Sequence, residues 1–270
     1  METNHQKWPV DAHVHFHAFA RAAQTLDSAA ANFQTVGGRG DGLVGALLLA
    51  QASDERVFET LRETAGVGAW RLAPARDEAE TLVAHRDAER IAIVCGRQVR
   101  TEGGLEVLGL GTGAEFPDRL PLPEAVRAVQ ASGALTVLPW GFGKWLGQRG
   151  RRVAALLDDC RAGKLFVGDN GGRMRALPLP AGIRKAESNG IIVLRGSDPF
   201  PIVADHRRAG AFGFFAEMPP PESAPWRALR DWLLARRQSP QPYGRACGLV
   251  RFTINQVGIQ LYRKRLSART

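Results

Sequence analysis

Residues 10–19, VDAHVHFHAF, carry three of the six histidines of the chain at alternate positions, His13, His15 and His17. In a β-strand, successive side chains point to opposite faces of the sheet. The spacing therefore predicts a strand with Asp11, His13 and His15 on one face and the intervening apolar residues on the other. Imidazole is a common ligand for transition metals, and two imidazoles two residues apart on a strand can reach one ion. The segment predicts a strand that carries a metal site.

The composition is that of an ordinary folded protein. The 270 residues are 44% hydrophobic and 23% charged, enough for one large α/β domain with a substantial core. Cys95, Cys160 and Cys247 lie far apart, a spacing that does not suit a disulfide scaffold or a zinc ribbon. The first residues are polar, and no apolar run approaches the roughly 20 residues of a membrane span. We therefore predict a cytoplasmic protein.

Basic residues are in excess, with a net charge of +9. Such a balance can indicate nucleic acid, an anionic membrane or a phosphorylated substrate as partner. The densest basic segments are 149–152 (RGRR) and 262–265 (YRKR), and neither has the interleaved aromatic and glycine residues of an RNA-binding sheet. We expect a basic surface without a dedicated nucleic-acid site. Binding of the C-terminal tail to nucleic acid or to an anionic membrane is the weaker alternative.

Apolar runs and helix-like stretches alternate along the chain. Strands are predicted at 9–16, 43–50, 67–73, 90–99, 105–111, 134–139, 165–168, 191–195 and 211–216. Helices are predicted at 18–33, 54–65, 76–88, 122–132, 151–162, 181–189 and 200–209. Several strands are apolar throughout, as in a sheet covered on both faces, and the alternation favours an α/β barrel. We predict a distorted TIM-like (β/α) barrel over 1–218 and a helical C-terminal extension over 219–270, packed on the same domain.

The ends of the predicted strands supply candidate site residues, because catalytic residues of barrel enzymes lie at the carboxyl ends of the strands. Asp169 could be a ligand or a base, or it could simply open an Asp-Asn-Gly-Gly turn. His17, beyond its strand, is expected at a helix start or on the surface. Trp140 could form an apolar wall of the site or a plug in the core. The other polar candidates at or near strand ends are Gln98, Lys144, Asn170, Arg195 and Asp198.

Four segments, in this order, resemble the polymerase and histidinol phosphatase (PHP) family of metal-dependent phosphoesterases, within the amidohydrolase-like barrels. Asp11-Ala12-His13-Val14-His15 is similar to the Asp-x-His-x-His of the first strand of that family. The other three matching segments are 96–111 (GRQVRTEGGLEVLGLG), 132–143 (SGALTVLPWGFG) and 196–200 (GSDPF). The resemblance implies a barrel and a divalent-metal site, with His13, His15 and Asp198 among its ligands.

The chain departs from the family pattern at most of the other ligand positions. Gln51 and Ala52 occupy the positions where the family has an Asp-His pair, and Gln98 replaces a Glu. Trp140 and Phe200 replace two histidines of the family, the second of them the last in the pattern. Only His13, His15 and Asp198 are retained as good ligands. The resemblance therefore implies a reduced site with one divalent ion. His and Asp ligands of this kind bind zinc, manganese or iron.

Two functions are expected from these residues. The first is a phosphoesterase- or amidohydrolase-like hydrolase, in which His13, His15 and Asp198 hold the ion and Asp169 or Asp198 acts as the catalytic base. The residues expected to contact a small anionic substrate are Gln98, Trp140, Lys144, Asn170 and Arg195. The alternative is a catalytically inactive PHP-like protein that binds a ligand or a partner.

Overall fold

The computed structural model describes residues 7–37, 42–160, 165–202 and 205–267. The strands are β1 (Lys7–Val14), β2 (Gly42–Leu49), β3 (Gly66–Val67), β4 (Trp70–Pro74), β5 (Thr81–Arg86), β6 (Glu89–Val94), β7 (Gly96–Arg100), β8 (Glu106–Leu110), β9 (Leu135–Pro139), β10 (Phe166–Asn170), β11 (Val193–Gly196), β12 (Phe212–Glu217) and β13 (Pro242–Gly244). The helices are α1 (Ala22–Thr35), α2 (Val57–Glu63), α3 (Leu122–Ala131), α4 (Gly147–Asp159), α5 (Ala181–Ser188), α6 (Pro225–Leu234) and α7 (Leu249–Ser267). Short 3-10 turns lie at Phe19–Arg21 and Asp205–Arg208.

The strands form two mixed sheets. The larger has eight strands in the order β13-β12-β1-β2-β6-β5-β4-β3, and the smaller has five in the order β11-β10-β9-β8-β7. In the larger sheet only the β1–β2 and β2–β6 pairs are parallel. In the smaller sheet the β9–β10 and β10–β11 pairs are parallel. The remaining pairs in both sheets are antiparallel.

The prediction of a TIM-like barrel is wrong. A (β/α) barrel needs parallel strands, each followed by a helix. Here the six strands from β3 to β8 follow one another without an intervening helix among the described residues, and β3, β4 and β5 extend one edge of the larger sheet as an antiparallel meander. At the other edge β12 and β13 also run antiparallel to their neighbours. The result is an α/β fold of two mixed sheets that do not close into a barrel.

Two of the predicted helices are also wrong. Residues 81–86, inside the helix predicted at 76–88, form β5, because they pair with β6 along their whole length through the tight turn at Asp87, whose φ is +51°. Of the helix predicted at 200–209, the structure shows only the 3-10 turn at Asp205–Arg208, and residues 203–204 lie outside the described residues. The helix at 151–162 is found as the later part of α4, and its last two predicted residues are not described.

The sheets bury their apolar faces against each other and against α6. One cluster joins Val10 and Leu48 of the larger sheet to Val137 and Phe166 of the smaller one, together with Trp226 of α6. A second cluster packs α1 on the other face of the larger sheet, and a third packs α3, α4 and α5 on the smaller one. Each of the two sheets is therefore covered on both faces.

The segment 219–270, predicted as a helical extension, contains α6, the short strand β13 and α7. The apolar face of α6 belongs to the main core, and β13 pairs with β12. The division of the chain at residue 218 stays a prediction. Within the described residues, no helix is both long enough and apolar enough to cross a membrane.

All three cysteines are free, and their environments differ. Cys95 and Cys247 are buried, whereas Cys160 is partly exposed at the end of α4. Burial raises the pKa of the Cys95 thiol to about 12 and also raises that of Cys247. Because the thiolate is the reactive form, both buried thiols should be poor nucleophiles.

We expect Cys160 of the native protein to react with a thiol reagent at least roughly tenfold faster than Cys95 or Cys247. Time-resolved labelling followed by peptide mass spectrometry measures the three rates. Protein unfolded in denaturant is the control, in which all three thiols should react at similar rates. Labelling of native Cys95 at the rate of Cys160 would contradict the buried environment.

Candidate metal centre

The two histidines at the end of β1 converge on one point. The pairing of β1 with β2 shifts register between Asp11 and Val14, so a bulge interrupts the predicted regular alternation. The Nε2 atoms of His13, within this irregular stretch, and of His15, just after it, lie 3.1 Å apart. Their side chains are only 6% and 9% exposed. The imidazole pair is thus held at short range in a buried site.

Asp198 reaches these histidines from the end of β11. Its backbone N–H donates to the carbonyl oxygen of His13 at 2.8 Å, and its φ is +47°, in the left-handed region that costs free energy for a residue other than glycine. The close approach depends on Gly196, where a Cβ would lie 2.3 Å from the backbone nitrogen of His13. Oδ1 of Asp198 is 3.6 Å from Nε2 of both His13 and His15.

The three donor atoms match the requirements of one metal ion. Zinc binds nitrogen and carboxylate oxygen at about 2.0–2.2 Å in tetrahedral geometry, which sets roughly 3.3–3.6 Å between neighbouring ligand atoms. The separations of 3.1, 3.6 and 3.6 Å lie close to that range. His13, His15 and Asp198 therefore form a buried cluster that could hold a metal ion. With three protein donors, at least one position is left for another ligand.

The protonation states of the cluster suit a cation. Burial, followed by the like charges of His13 and His17, lowers the pKa of His15 to about 3, so its imidazole is neutral and has a lone pair available. Burial acts to raise the pKa of Asp198, but the neighbouring His13, His15 and Lys144 outweigh it and hold that pKa below its usual value. At neutral pH the site offers a neutral imidazole and a carboxylate.

Asn170, at the end of β10, fixes the orientation of the Asp198 carboxylate. Its Nδ2 donates to Oδ2 of Asp198 at 2.9 Å and to the carbonyl oxygen of Trp140 at 2.6 Å. The bond occupies Oδ2 and leaves Oδ1 directed at the histidines. Asn170 was predicted to contact substrate, and in the structure its side chain orients Asp198, a candidate metal ligand.

Replacing Asn170 with alanine should weaken binding of a divalent ion by about 10- to 100-fold, because hydrogen-bonded partners of metal ligands contribute that much to affinity. Titration calorimetry with zinc measures the change. Asn189→Ala is a matched control, since the Asn189 side chain bonds to Leu157 and Asp158, away from the cluster. Equal affinities of the two variants would contradict the positioning role.

His17 and Glu55 flank the cluster, although the sequence placed His17 on the surface or at a helix start and did not single out Glu55. The His17 ring stacks on that of His15, with centroids 5.0 Å apart, and its Nε2 lies 2.7 Å from the carbonyl oxygen of Pro199. Nδ1 of His17 is 3.6 Å from Oε1 of Glu55. Burial would raise the pKa of Glu55, but His17, His15 and the N–H of Ala52 together lower it to about 2. Glu55 follows β2 in an irregular segment, where no periodicity identifies it.

Asp11 does not join the donor cluster but holds its scaffold. Its buried carboxylate accepts from the backbone N–H groups of Ser197, Gly210 and His13, at 2.8, 2.8 and 3.3 Å. It therefore ties the strand of the histidines to the loop of Asp198. Burial, only partly offset by these bonds, raises its pKa to about 7.

Asp169 and Arg195 are kept apart from the cluster. Asp169 precedes Asn170 in β10, so the two side chains point to opposite faces of the sheet. The fully buried Asp169 carboxylate binds Arg173 through two hydrogen bonds, of 2.9 and 3.2 Å, and lies 3.7 Å from Arg195. Arg195 is also 4.0 Å from Glu187 of α5. The role of Asp169 as a base stays a prediction, and this placement does not favour it.

The remaining predicted substrate contacts have varied surroundings. Lys144 forms an ion pair with Glu106 at 2.5 Å and acts electrostatically on Asp198. Trp140 is buried in the apolar cluster of the smaller sheet. Gln98 is buried beside a cleft of about 180 Å³ that Ser53 and Arg97 also line. Of these residues, Lys144 is the one that interacts with the donor cluster.

Comparison with known proteins defines the fold only. No protein-family model matches the chain, and no curated protein matches it. Its structure is similar to the crystal structure of PsfC from Pseudomonas syringae PB-5123, with a TM-score of 0.56 and 17% sequence identity over 97% of this chain and 99% of that one. At this identity the likeness indicates a shared fold and carries no function.

Proposed function

We propose that the chain is a metal-dependent hydrolase, phosphoesterase- or amidohydrolase-like, with a reduced and mononuclear metal site. The observation that carries this proposal is the convergence of His13, His15 and Asp198, whose donor atoms lie 3.1–3.6 Å apart in a buried setting. The resemblance of Asp11–His15 and of 196–200 to the PHP family supports the same assignment. Zinc, manganese and iron all fit two imidazoles and a carboxylate.

A divalent ion held by these residues would polarise the scissile bond and lower the pKa of a bound water. The contribution of the chain is orientation. Asn170 fixes the Asp198 carboxylate, and Asp11 holds the backbone of Ser197 beside it. His17 stacks on His15 and pairs with Glu55, so both would add polar groups beside a bound ion.

A small anionic substrate agrees with the charges around the site. Lys144 is close enough to Asp198 to lower its pKa, so it would also attract an anionic group bound beside the ion. The net charge of +9 favours the approach of anions from a distance. A phosphoester or a carboxylate-bearing amide fits both features.

A catalytically inactive binding protein is the second candidate. It is favoured by the structural roles of two residues that replace family ligands. Gln51 accepts the N–H of Phe58 through its side-chain oxygen at 2.7 Å, and Trp140 packs in an apolar cluster. In this alternative the surviving donors hold an ion or a ligand without turnover.

The test is hydrolysis by metal-loaded protein. Zinc- and manganese-loaded samples are assayed against aryl phosphates, phosphodiesters and acyl amides, together with Asp198→Asn. We expect metal-stimulated turnover of one substrate class, reduced by at least roughly 100-fold in the variant. Stoichiometric metal binding without turnover of any class would favour the binding protein instead.

A further inference from the structure

Helix α7 presents a stripe of exposed apolar side chains. Val250, Ile254, Val257 and Leu261 are 53–74% exposed. Together with Leu249, they make up half of the large hydrophobic residues that are exposed in the described part of the chain. A contiguous exposed apolar surface on a folded protein marks an interaction site.

The stripe lies on the face of α7 that points away from the protein. Its members are spaced by four, three and four residues, so they share one side of the helix. Phe252 and Asn255 are buried on the opposite side. The helix is thus anchored by one face and has a second apolar face free for a partner.

A neighbouring loop packs on the anchored face of α7, opposite the stripe. Phe142, which follows β9 and is 52% exposed, packs edge-on against the Phe252 ring with centroids 4.9 Å apart. Leu146, four residues further along, is 70% exposed. The candidate docking surface is therefore the α7 stripe alone.

Charge identifies the partner. Besides Arg251, which pairs with Asp205, the sequence of α7 includes Arg263, Lys264 and Arg265 and has no Asp or Glu, in a chain of net charge +9. We propose that α7 docks on the surface of an anionic lipid bilayer, with the stripe inserted at the headgroup boundary and the net positive charge of the helix sequence attracted to the lipid phosphates. Exposed apolar area and positive charge each favour binding to an anionic bilayer.

A second copy of the chain and a nucleic acid fit this surface less well than a bilayer does. Helix pairing between two copies is commonly directed by opposite charges beside the apolar seam, and α7 supplies charges of one sign only. Nucleic acid would use the basic residues and leave the apolar stripe uncovered. An anionic bilayer satisfies both features together.

Docking would also restrain the loop that carries Asp198. Nη2 of Arg251 in α7 lies 3.2 Å from Oδ1 of Asp205, whose other oxygen accepts the N–H of Phe200 at 2.6 Å. The helix and this loop are therefore joined by a direct ion pair. A docked α7 would hold the loop near the lipid surface. The proposal itself does not depend on metal binding or on hydrolysis.

The experiment is co-sedimentation of the full chain with vesicles of phosphatidylcholine alone and of phosphatidylcholine mixed with phosphatidylglycerol. We expect binding to the anionic vesicles and little to the neutral ones. Ile254→Ser/Val257→Ser should lower partitioning by roughly 10- to 100-fold, because it removes inserted apolar area. Arg263→Gln/Lys264→Gln/Arg265→Gln should lower it by roughly fivefold per residue.

Thr253→Ser/Gln260→Ser is the matched control, with two exposed polar residues of the same helix, and should bind as the parent does. Melting temperatures and light scattering of all variants test folding and oligomeric state. A dimer that Ile254→Ser/Val257→Ser dissociates, with no vesicle binding, would overturn the proposal in favour of a second copy. Salt-sensitive binding to duplex DNA without vesicle binding would overturn it in favour of nucleic acid. Binding that neither the stripe nor the basic variant changes would also refute it.

Discussion

Replacing His13 and His15 together with alanine should reduce bound divalent metal from about one equivalent to none. The two Nε2 atoms, 3.1 Å apart, are two of the three donors of the cluster. Without them, the Asp198 carboxylate is the one ligand left. Metal analysis of protein purified without a metal-affinity tag, before and after incubation with zinc or manganese, measures the change.

The matched control for this experiment is His85→Ala/His206→Ala. It removes the same number of imidazoles from positions on β5 and in the turn at Asp205–Arg208, outside the cluster. We expect this variant to retain the parent metal content. Absence of metal from the parent protein after incubation would refute the metal centre, and equal loss in both variants would indicate adventitious binding to histidines.

Replacing Asp11 with alanine should lower the free energy of unfolding by about 3–5 kcal/mol, the largest stability effect that we expect. The variant leaves the backbone N–H groups of Ser197, Gly210 and His13 buried without their acceptor. Part of this loss is offset, because burial disfavours the ionised carboxylate and raises its pKa to about 7. Equilibrium unfolding in denaturant measures the difference.

Two further variants separate the role of Asp11 from a general effect of charge removal. Asp11→Asn keeps one acceptor oxygen but replaces the other with an NH2 group, which would face a backbone N–H donor. Its stability should therefore lie between those of the parent and Asp11→Ala. Asp158→Ala removes an exposed carboxylate bound to Lys185 and should change the unfolding transition little. A loss below about 1 kcal/mol in Asp11→Ala would show that water or a rearranged loop replaces the carboxylate.

Much of the candidate site could be predicted from sequence, because its ligands lie in short local patterns. The alternation of His13 and His15 indicates a shared target for the two imidazoles, and the resemblance of the Gly-Ser-Asp segment to the PHP family implies Asp198 as a further ligand. The same reasoning missed Glu55, which lies in an irregular segment, and underestimated His17. No local pattern reports a contact between a loop after β2 and a residue beyond β1.

The predicted barrel is wrong, although many of its separate helices and strands were predicted from the sequence. Apolar periodicity correctly predicted α1, α2, α3 and α5, because each of these helices has a buried and an exposed side, and continuous apolar runs predicted most of the central strands, which are buried on both faces. It does not report strand direction, so the strands predicted at 67–73 and 211–216 gave no sign that β3, β4 and β12 run antiparallel to their neighbours, and β5 and β13 were not predicted as strands. The predicted strand 90–99 is in fact divided into β6 and β7, which belong to different sheets.

The sequence by itself determined the chemistry that this protein can present: two imidazoles on one strand, a carboxylate near a later strand end, and a basic C-terminal helix. The tertiary structure alone decided which groups meet. Asp198 reaches the histidines because Gly196 allows close approach and Asp11 holds the adjoining backbone, whereas Asp169 faces the other side of its sheet and pairs with arginines. The contacts of Asp11 with Ser197 and of His13 with Asp198 join residues more than 180 positions apart, and they depend on the packing of two sheets rather than on any local preference.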